Sequence, residues 1–295
     1  MTNTVATQIA FKRILVPTDF SDVSRRALDY AEEVARKFGS ELVVAHASQF
    51  LNPIAPPEAL WIDQGRAQQL IVQQNEEQLE QIGEALRSDG FQAQTVSDIG
   101  PVGDEILRTA ETRKVDLIVM ATEGKKGFDR LLLGSDTEHV IRRAECPVLV
   151  IGPKAAAVGD QVWHPRNVLC AVDLAPSALP TAIYACQLSN EYHASLTFFH
   201  VEKAAREAKD DDLNQFDRAL TDAVPPIKDR LHTWKTLVSE KDTGLAIVDE
   251  ATREHADLIV MGAHGASGAA AHGLRGVAPH VFAEAHCPVM ILPGP

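Results

Sequence analysis

The feature that most constrains this chain is that it is written twice. Asp116-Leu-Ile-Val-Met reappears 141 residues later as Asp257-Leu-Ile-Val-Met. The same spacing carries Gly124 to Gly265, Gly127 to Gly268, His139 to His280 and Cys146-Pro-Val to Cys287-Pro-Val. Over the 37 residues from Asp116 the copies share 14 identities without a gap. That is an internal repeat, so the fold must be one unit used twice. The starts of the copies match at a wider spacing, 154 residues. Arg13-Ile-Leu-Val-Pro-Thr-Asp19 answers Asn167-Val-Leu-Cys-Ala-Val-Asp173, and His46 answers His200. The second copy is therefore 13 residues shorter in its middle. The loss best fits residues 51–65, which hold Pro53, Pro56 and Pro57 and read as a long loop.

Each copy alternates short apolar runs with helical patterns. Residues 13–16, 41–47, 91–97, 115–121 and 147–151 predict five strands in the first copy. Residues 167–172, 195–201, 233–238, 258–262 and 288–292 predict five in the second. Between the first two strands, Ala27, Tyr30, Ala31, Val34, Ala35 and Phe38 recur with a helical period. Ser21 or Asp22 can cap that helix and Gly39 can end it. A Gln/Glu-rich helix is expected over 66–87, another after Gly100-Pro101, and another after Gly134. Strands alternating with helices imply right-handed crossovers and a parallel sheet covered on both faces. The expected fold is thus α/β, two tandem open five-stranded parallel-sheet domains. We assign 1–152 to the first, 153–165 to a Pro/Gly/Ala-rich linker and 166–295 to the second. The last strand of each copy is too apolar for an exposed edge, so the two are expected to pair about a pseudo-twofold axis.

Composition removes several function classes. The formal net charge of −13 repels a polyanion, so no nucleic-acid partner is expected. No run approaches the length of a membrane span, and the first residues lack the pattern of a signal peptide. Four scattered cysteines form no CxxC pair. A cytoplasmic protein is expected. His264, His272, His280 and His286 lie close in sequence but match no zinc spacing. No metal site is predicted, and His46 and His200 read as packed, hydrogen-bonded strand-end residues.

The chemistry concentrates in 116–151. There an apolar strand feeds a glycine-bearing loop and then a helix, an arrangement that can hold a phosphate on free N–H groups. Gly124 and Gly134 permit close backbone approach, Ser135 adds a hydroxyl, and Lys125, Lys126 and Arg130 bring positive charge. The same glycines also suit plain turns and a helix start. Asp19, at a strand end, can cap the first helix or face a ligand.

Val16-Pro-Thr-Asp-Phe-Ser21, His46, Asp116-Leu-Ile-Val-Met, the glycine loop, Gly134-Ser135 and Cys146-Pro-Val-Leu-Val together resemble the universal stress protein family in its tandem form. Members that bind ATP carry Gly-x2-Gly-x9-Gly-Ser/Thr. The first copy has Ala121-x2-Gly124-x9-Gly134-Ser135, with alanine for the first glycine and Glu123 beside it. The second has Gly262-x2-Gly265-x9-Arg275-Gly276, with arginine in the phosphate seat. The resemblance implies an adenine nucleotide, ATP with Mg where needed, at Pro17, Thr18, Asp19, Ala47, Met120, Ala121, Gly124, Lys125, Gly134 and Ser135. Asp173, Val201, Gly262 and Gly265 would form a weaker second site. It implies a regulatory binding protein with protein partners and association of tandem chains, and slow ATP hydrolysis at most. The other reading is a nucleotide-free scaffold, which Ala121, Glu123 and Arg275 favour.

Overall fold

The computed structural model describes residues 9–49, 61–122, 134–158, 162–202, 210–224, 233–238, 242–263 and 277–294. The first repeat runs β1 (Arg13–Pro17), α1 (Asp22–Phe38), β2 (Glu41–Ser48), α2 (Trp61–Ser88), β3 (Gln92–Ile99), α3 (Val102–Thr112), β4 (Leu117–Ala121), α4 (Ser135–Arg143), β5 (Val148–Ile151). The second follows as β6 (Asn167–Ala171), α5 (Leu179–Tyr192), β7 (Ser195–Glu202), α6 (Asp210–Ala223), β8 (Thr233–Val238), α7 (Thr243–Arg253), β9 (Leu258–Gly262), α8 (Val277–Glu284), β10 (Val289–Leu292). Predicted strands and observed strands agree to within about two residues. The loop expected over 51–65 does not hold at its end. Helix α2 begins at Trp61, because no proline lies between Pro57 and the end of the helix and Gly65 alone does not stop a helix growing back from the core-facing part.

All ten strands form one sheet in the order β3-β2-β1-β4-β5-β10-β9-β6-β7-β8. Within each repeat neighbours are parallel. The single antiparallel seam is β5 against β10, where Leu149 pairs with Met290. The apolar strands predicted to meet do so, and each repeat hides the other's edge.

Period-two alternation along the strands divides the core between the two faces. Ile14, Val16, Val119 and Leu149 face α1, α2, α5 and α6. Leu15, Ile118, Val148 and Val150 face α3, α4, α7 and α8. Asp116 ties the strand starts together. Its Oδ2 accepts from the N–H of Lys12 (2.8 Å) and Arg13 (2.9 Å). Asp257 does the same for Arg166 and Asn167 at 2.8 and 2.9 Å.

The segment between β5 and β6 is fastened to α1. Arg26 Nη2 donates to the carbonyls of Gly152 (3.2 Å) and Ala155 (2.6 Å), and the Tyr30 hydroxyl to that of Ala156 (2.6 Å). Trp163 packs edge-on against Tyr30 and Tyr192, so both repeats grip it. Gly152 permits this crossing, since a Cβ there would lie 2.1 Å from the Phe282 carbonyl oxygen.

Candidate functional site

A cleft of about 190 Å³ opens at the carboxyl ends of β1, β2 and β4, the edge of an open α/β sheet where ligands bind. Pro17, Thr18, Asp19, Ala47, Met120 and Ala121 all line it. Gly134 and Ser135 start α4, and the next two residues, Asp136 and Thr137, line the cleft. Gly124 and Lys125 lie outside the described residues, as do Glu123, Lys126 and Arg130.

The turn after β1 is built by hydrogen bonds. Asp19 Oδ1 accepts from the Ser21 N–H (3.0 Å) and hydroxyl (2.6 Å), and Ser21 Oγ accepts from the Ser24 N–H (3.2 Å) as the α1 cap. Of the two cap candidates Ser21 is therefore the one used. Phe20 takes a left-handed φ of 64° to make this turn. Burial pushes the Asp19 carboxyl up, but the bonds from Ser21 and Ser24 outweigh it and leave the group below its ordinary range. Asp19 is thus an ionised acceptor and a weak base.

His46 lies within β2, paired with Ser97, and its ring lies against Phe20, ring centroids 4.5 Å apart. Its Nδ1 is 2.8 Å from the Thr18 carbonyl, which can only accept, so the proton sits on Nδ1. Nε2 then accepts from Asn75 Nδ2 at 3.1 Å. The packed role expected for His46 is the observed one, and it also lines the cleft.

The far wall comes from α3 and the end of β3: Asp98, Val102, Glu105, Ile106 and Thr109. Sequence reading missed these residues. The only signal was Thr109, a polar residue one helical turn from Ile106 on the same face. Arg108 bridges two of the carboxylates, reaching Asp98 at 2.7 Å and Glu105 at 2.5 Å, and its single charge leaves the trio net negative. Asp136 Oδ1 accepts from the Gly103 N–H at 3.3 Å.

Helix α4 presents its N-terminus here without a side-chain cap. Gly134 has an ordinary φ of −59°, and among the described residues a Cβ would meet only Thr137 Oγ1, at 3.8 Å. Neither the backbone nor the packing of the described residues demands glycine, and none of those residues fills the space above the helix start. Free N–H groups and open space are what a phosphate group requires. Ala121 ends β4 paired with Ile151 and has no positive φ, so its methyl carries no backbone strain.

The second repeat copies the turn. Asp173 Oδ1 accepts from the Ala175 N–H (3.0 Å), Leu174 has φ 60°, and His200 Nδ1 holds the Val172 carbonyl (2.9 Å). Val201 lies in β7 and Gly262 ends β9. Gly265, Arg275 and Gly276 lie outside the described residues, as do His264, His272 and Pro225-Pro226. His280 packs on Gly244, as His139 packs on Gly103. Among the described residues no group of three or more acidic, His or Cys side chains could hold a metal. No helix among them is long and apolar enough to cross a membrane.

The universal stress protein family profile matches residues 10–152 and again 164–293. A universal stress protein of Methanocaldococcus jannaschii is 38% identical over 144 residues, 48% of this chain and 82% of that protein. One of Bacillus subtilis is 32% identical over 149 residues, 48% of this chain and 99% of that protein. The crystal structure of a universal stress protein from Archaeoglobus fulgidus superposes with a TM-score of 0.71 at 20% identity. It covers 97% of this chain and 98% of that one, a likeness of fold. Two profile matches spanning nearly the whole chain, on a sheet built from two copies of one unit, show that this protein belongs to the universal stress protein family.

Proposed function

We propose that this protein is a stress-response binding protein that takes ATP, or a related adenine nucleotide, in the cleft of its first repeat. It acts by regulating partners and not by turnover. The observation that carries this reading is Gly134 at the start of α4, with no side-chain cap of its own, a glycine that neither φ nor its packing among the described residues explains. In this reading the phosphates lie on the Gly134 and Ser135 N–H groups. Asp19 faces the nucleoside, Pro17, Thr18 and Ala47 flank the base, and Met120 and Ala121 lie under the ribose. By their place in the chain between β4 and α4, Gly124 and Lys125 supply backbone room and charge. A Mg ion carried with the nucleotide offsets Asp19 and Asp136. The depressed pKa of Asp19 makes it a poor general base, which supports binding without catalysis.

Asp173, Val201, Gly262 and Gly265 are assigned a weaker second site, limited by Arg275. We take residues 1–152 and 166–295 as the two domains, joined by 153–165, and place the protein in the cytoplasm. One observation favours a nucleotide-free scaffold instead. Asp19, Asp98, Glu105 and Asp136 make the described cleft wall acidic, which repels phosphates.

The test is Gly134→Arg, which copies position 275 into the first repeat. ATP affinity should fall at least tenfold while the fold is kept. Unchanged affinity would remove the phosphates from this site.

A further inference from the structure

Helix α2 is only half docked. Leu79, Gly83 and Leu86 are buried against the sheet side of the molecule. Before Asn75 none of the described α2 side chains is buried, and Leu70 and Ile71 stand 59% and 40% exposed. Residues 61–74 make about 21 Å of helix at 1.5 Å per residue. A helix of that length with no buried side chain among those described is marginal in water, so its order leans on what holds its inner end.

Asn75 stands at that boundary. Its Nδ2 donates to His46 Nε2 and to Ser48 Oγ, both at 3.1 Å. His46 lines the cleft and donates from Nδ1 to the carbonyl of Thr18, the residue before Asp19. An unbroken chain of hydrogen bonds therefore joins the cleft to α2 at Asn75. Among the described residues the second repeat shows only the inner half. His200 holds the Val172 carbonyl, but at the 141-residue spacing Asn75 is answered by Phe216, buried edge-on against Trp234.

We propose that His46 and Asn75 form a ligand-sensing relay, by which a nucleotide in the first cleft orders residues 61–74 of α2. The inference rests on the nucleotide reading of that cleft. A ligand seated against Thr18 and His46 fixes the imidazole, the imidazole fixes the Asn75 amide, and the amide fixes the inner end of the 61–74 stretch. Asn75 is a positioning residue here. Coupling is reciprocal, so whatever the ligand does for α2, the Asn75 tether does for the ligand. The expected size is about fivefold in affinity, the worth of one neutral hydrogen bond.

The test is amide hydrogen exchange on the full chain, with and without Mg-ATP, for the parent, Asn75→Ala and Ser48→Ala. In the parent, ATP should slow exchange in residues 61–74. In Asn75→Ala that difference should vanish and ATP affinity should fall about fivefold. Ser48→Ala leaves the His46 bond in place, so it should keep both the difference and the affinity. An Asn75 that merely supports the helix would raise exchange without ligand but leave the ATP-induced difference, and that result would overturn the relay. Parent protein that binds ATP with no change in α2 also overturns the relay alone. Parent protein that binds no ATP overturns the nucleotide reading and the relay together.

Discussion

Leu149 in β5 pairs with Met290 in β10, and the two are the same position of the repeat, 141 residues apart. The pseudo-twofold axis passes through this pair. Both side chains are buried on the face shared with α1 and α5, so the seam is core and not an interface between independent bodies. The expectation rested on two terminal strands too apolar to stand exposed.

Truncation at the seam should therefore unsettle both repeats together. Met290→Ala and Leu149→Ala should each cost about 2–5 kcal/mol, read as a lower urea midpoint in one cooperative transition. Two separated transitions, only one of them shifted, would show that the repeats unfold independently.

Two glycines should respond oppositely to alanine. At Gly152 a Cβ would sit 2.1 Å from the Phe282 carbonyl oxygen, and backbone cannot swing aside. Gly152→Ala should cost about 1–3 kcal/mol. At Gly134 no described residue comes closer to a Cβ than 3.8 Å, and Gly134→Ala should change stability by no more than about 0.5 kcal/mol. Thermal unfolding of the two variants decides it, and equal losses would contradict the packing described here.

Asp19 gives a pH dependence with a definite sign. Its folded pKa lies below the ordinary value of 3.8, so its contribution to stability is present above about pH 4. It is lost as pH falls through the folded value. Asp19→Asn keeps the shape and one acceptor but loses the charge. The parent should unfold at higher urea than the variant at pH 6, and the gap should close towards pH 2. A gap that widens on acidification would reverse the assignment.

Burial pushes the thiols of Cys146, Cys186 and Cys287 up to about 12 and that of Cys170 well above its ordinary value. None should react with iodoacetamide at pH 8 in the native state, whereas all four should react in urea. Mass spectrometry of the labelled protein reads the number directly. Fast native labelling of any one would mean its surroundings open readily.

What the sequence disclosed followed from periodicity and repetition. The strands themselves and the β5–β10 seam sit in runs that the repeat prints twice, whereas the cleft residues on β1, β2 and β4 followed from the family resemblance. The α3 wall was hidden because Asp98 and Glu105 read as ordinary polar surface until the β3–α3 crossover brings them to the cleft. Asn75 was hidden for a related reason. One amide among the glutamines and glutamates of α2 looks solvated, and only the fold sets it against His46. Asp116 was visible as part of a strand signature, but its bonds to the Lys12 and Arg13 amides need the β1–β4 pairing that no local pattern contains.

The most direct measurement is nucleotide stoichiometry. The protein, purified without added nucleotide, is denatured and its released small molecules resolved by ion exchange; stripped protein is then titrated with Mg-ATP by calorimetry. One adenine nucleotide per chain, bound by the parent and lost in Gly134→Arg, is the predicted result. No released nucleotide and no heat on titration would contradict the account and leave Gly134 and its uncapped helix to a scaffold.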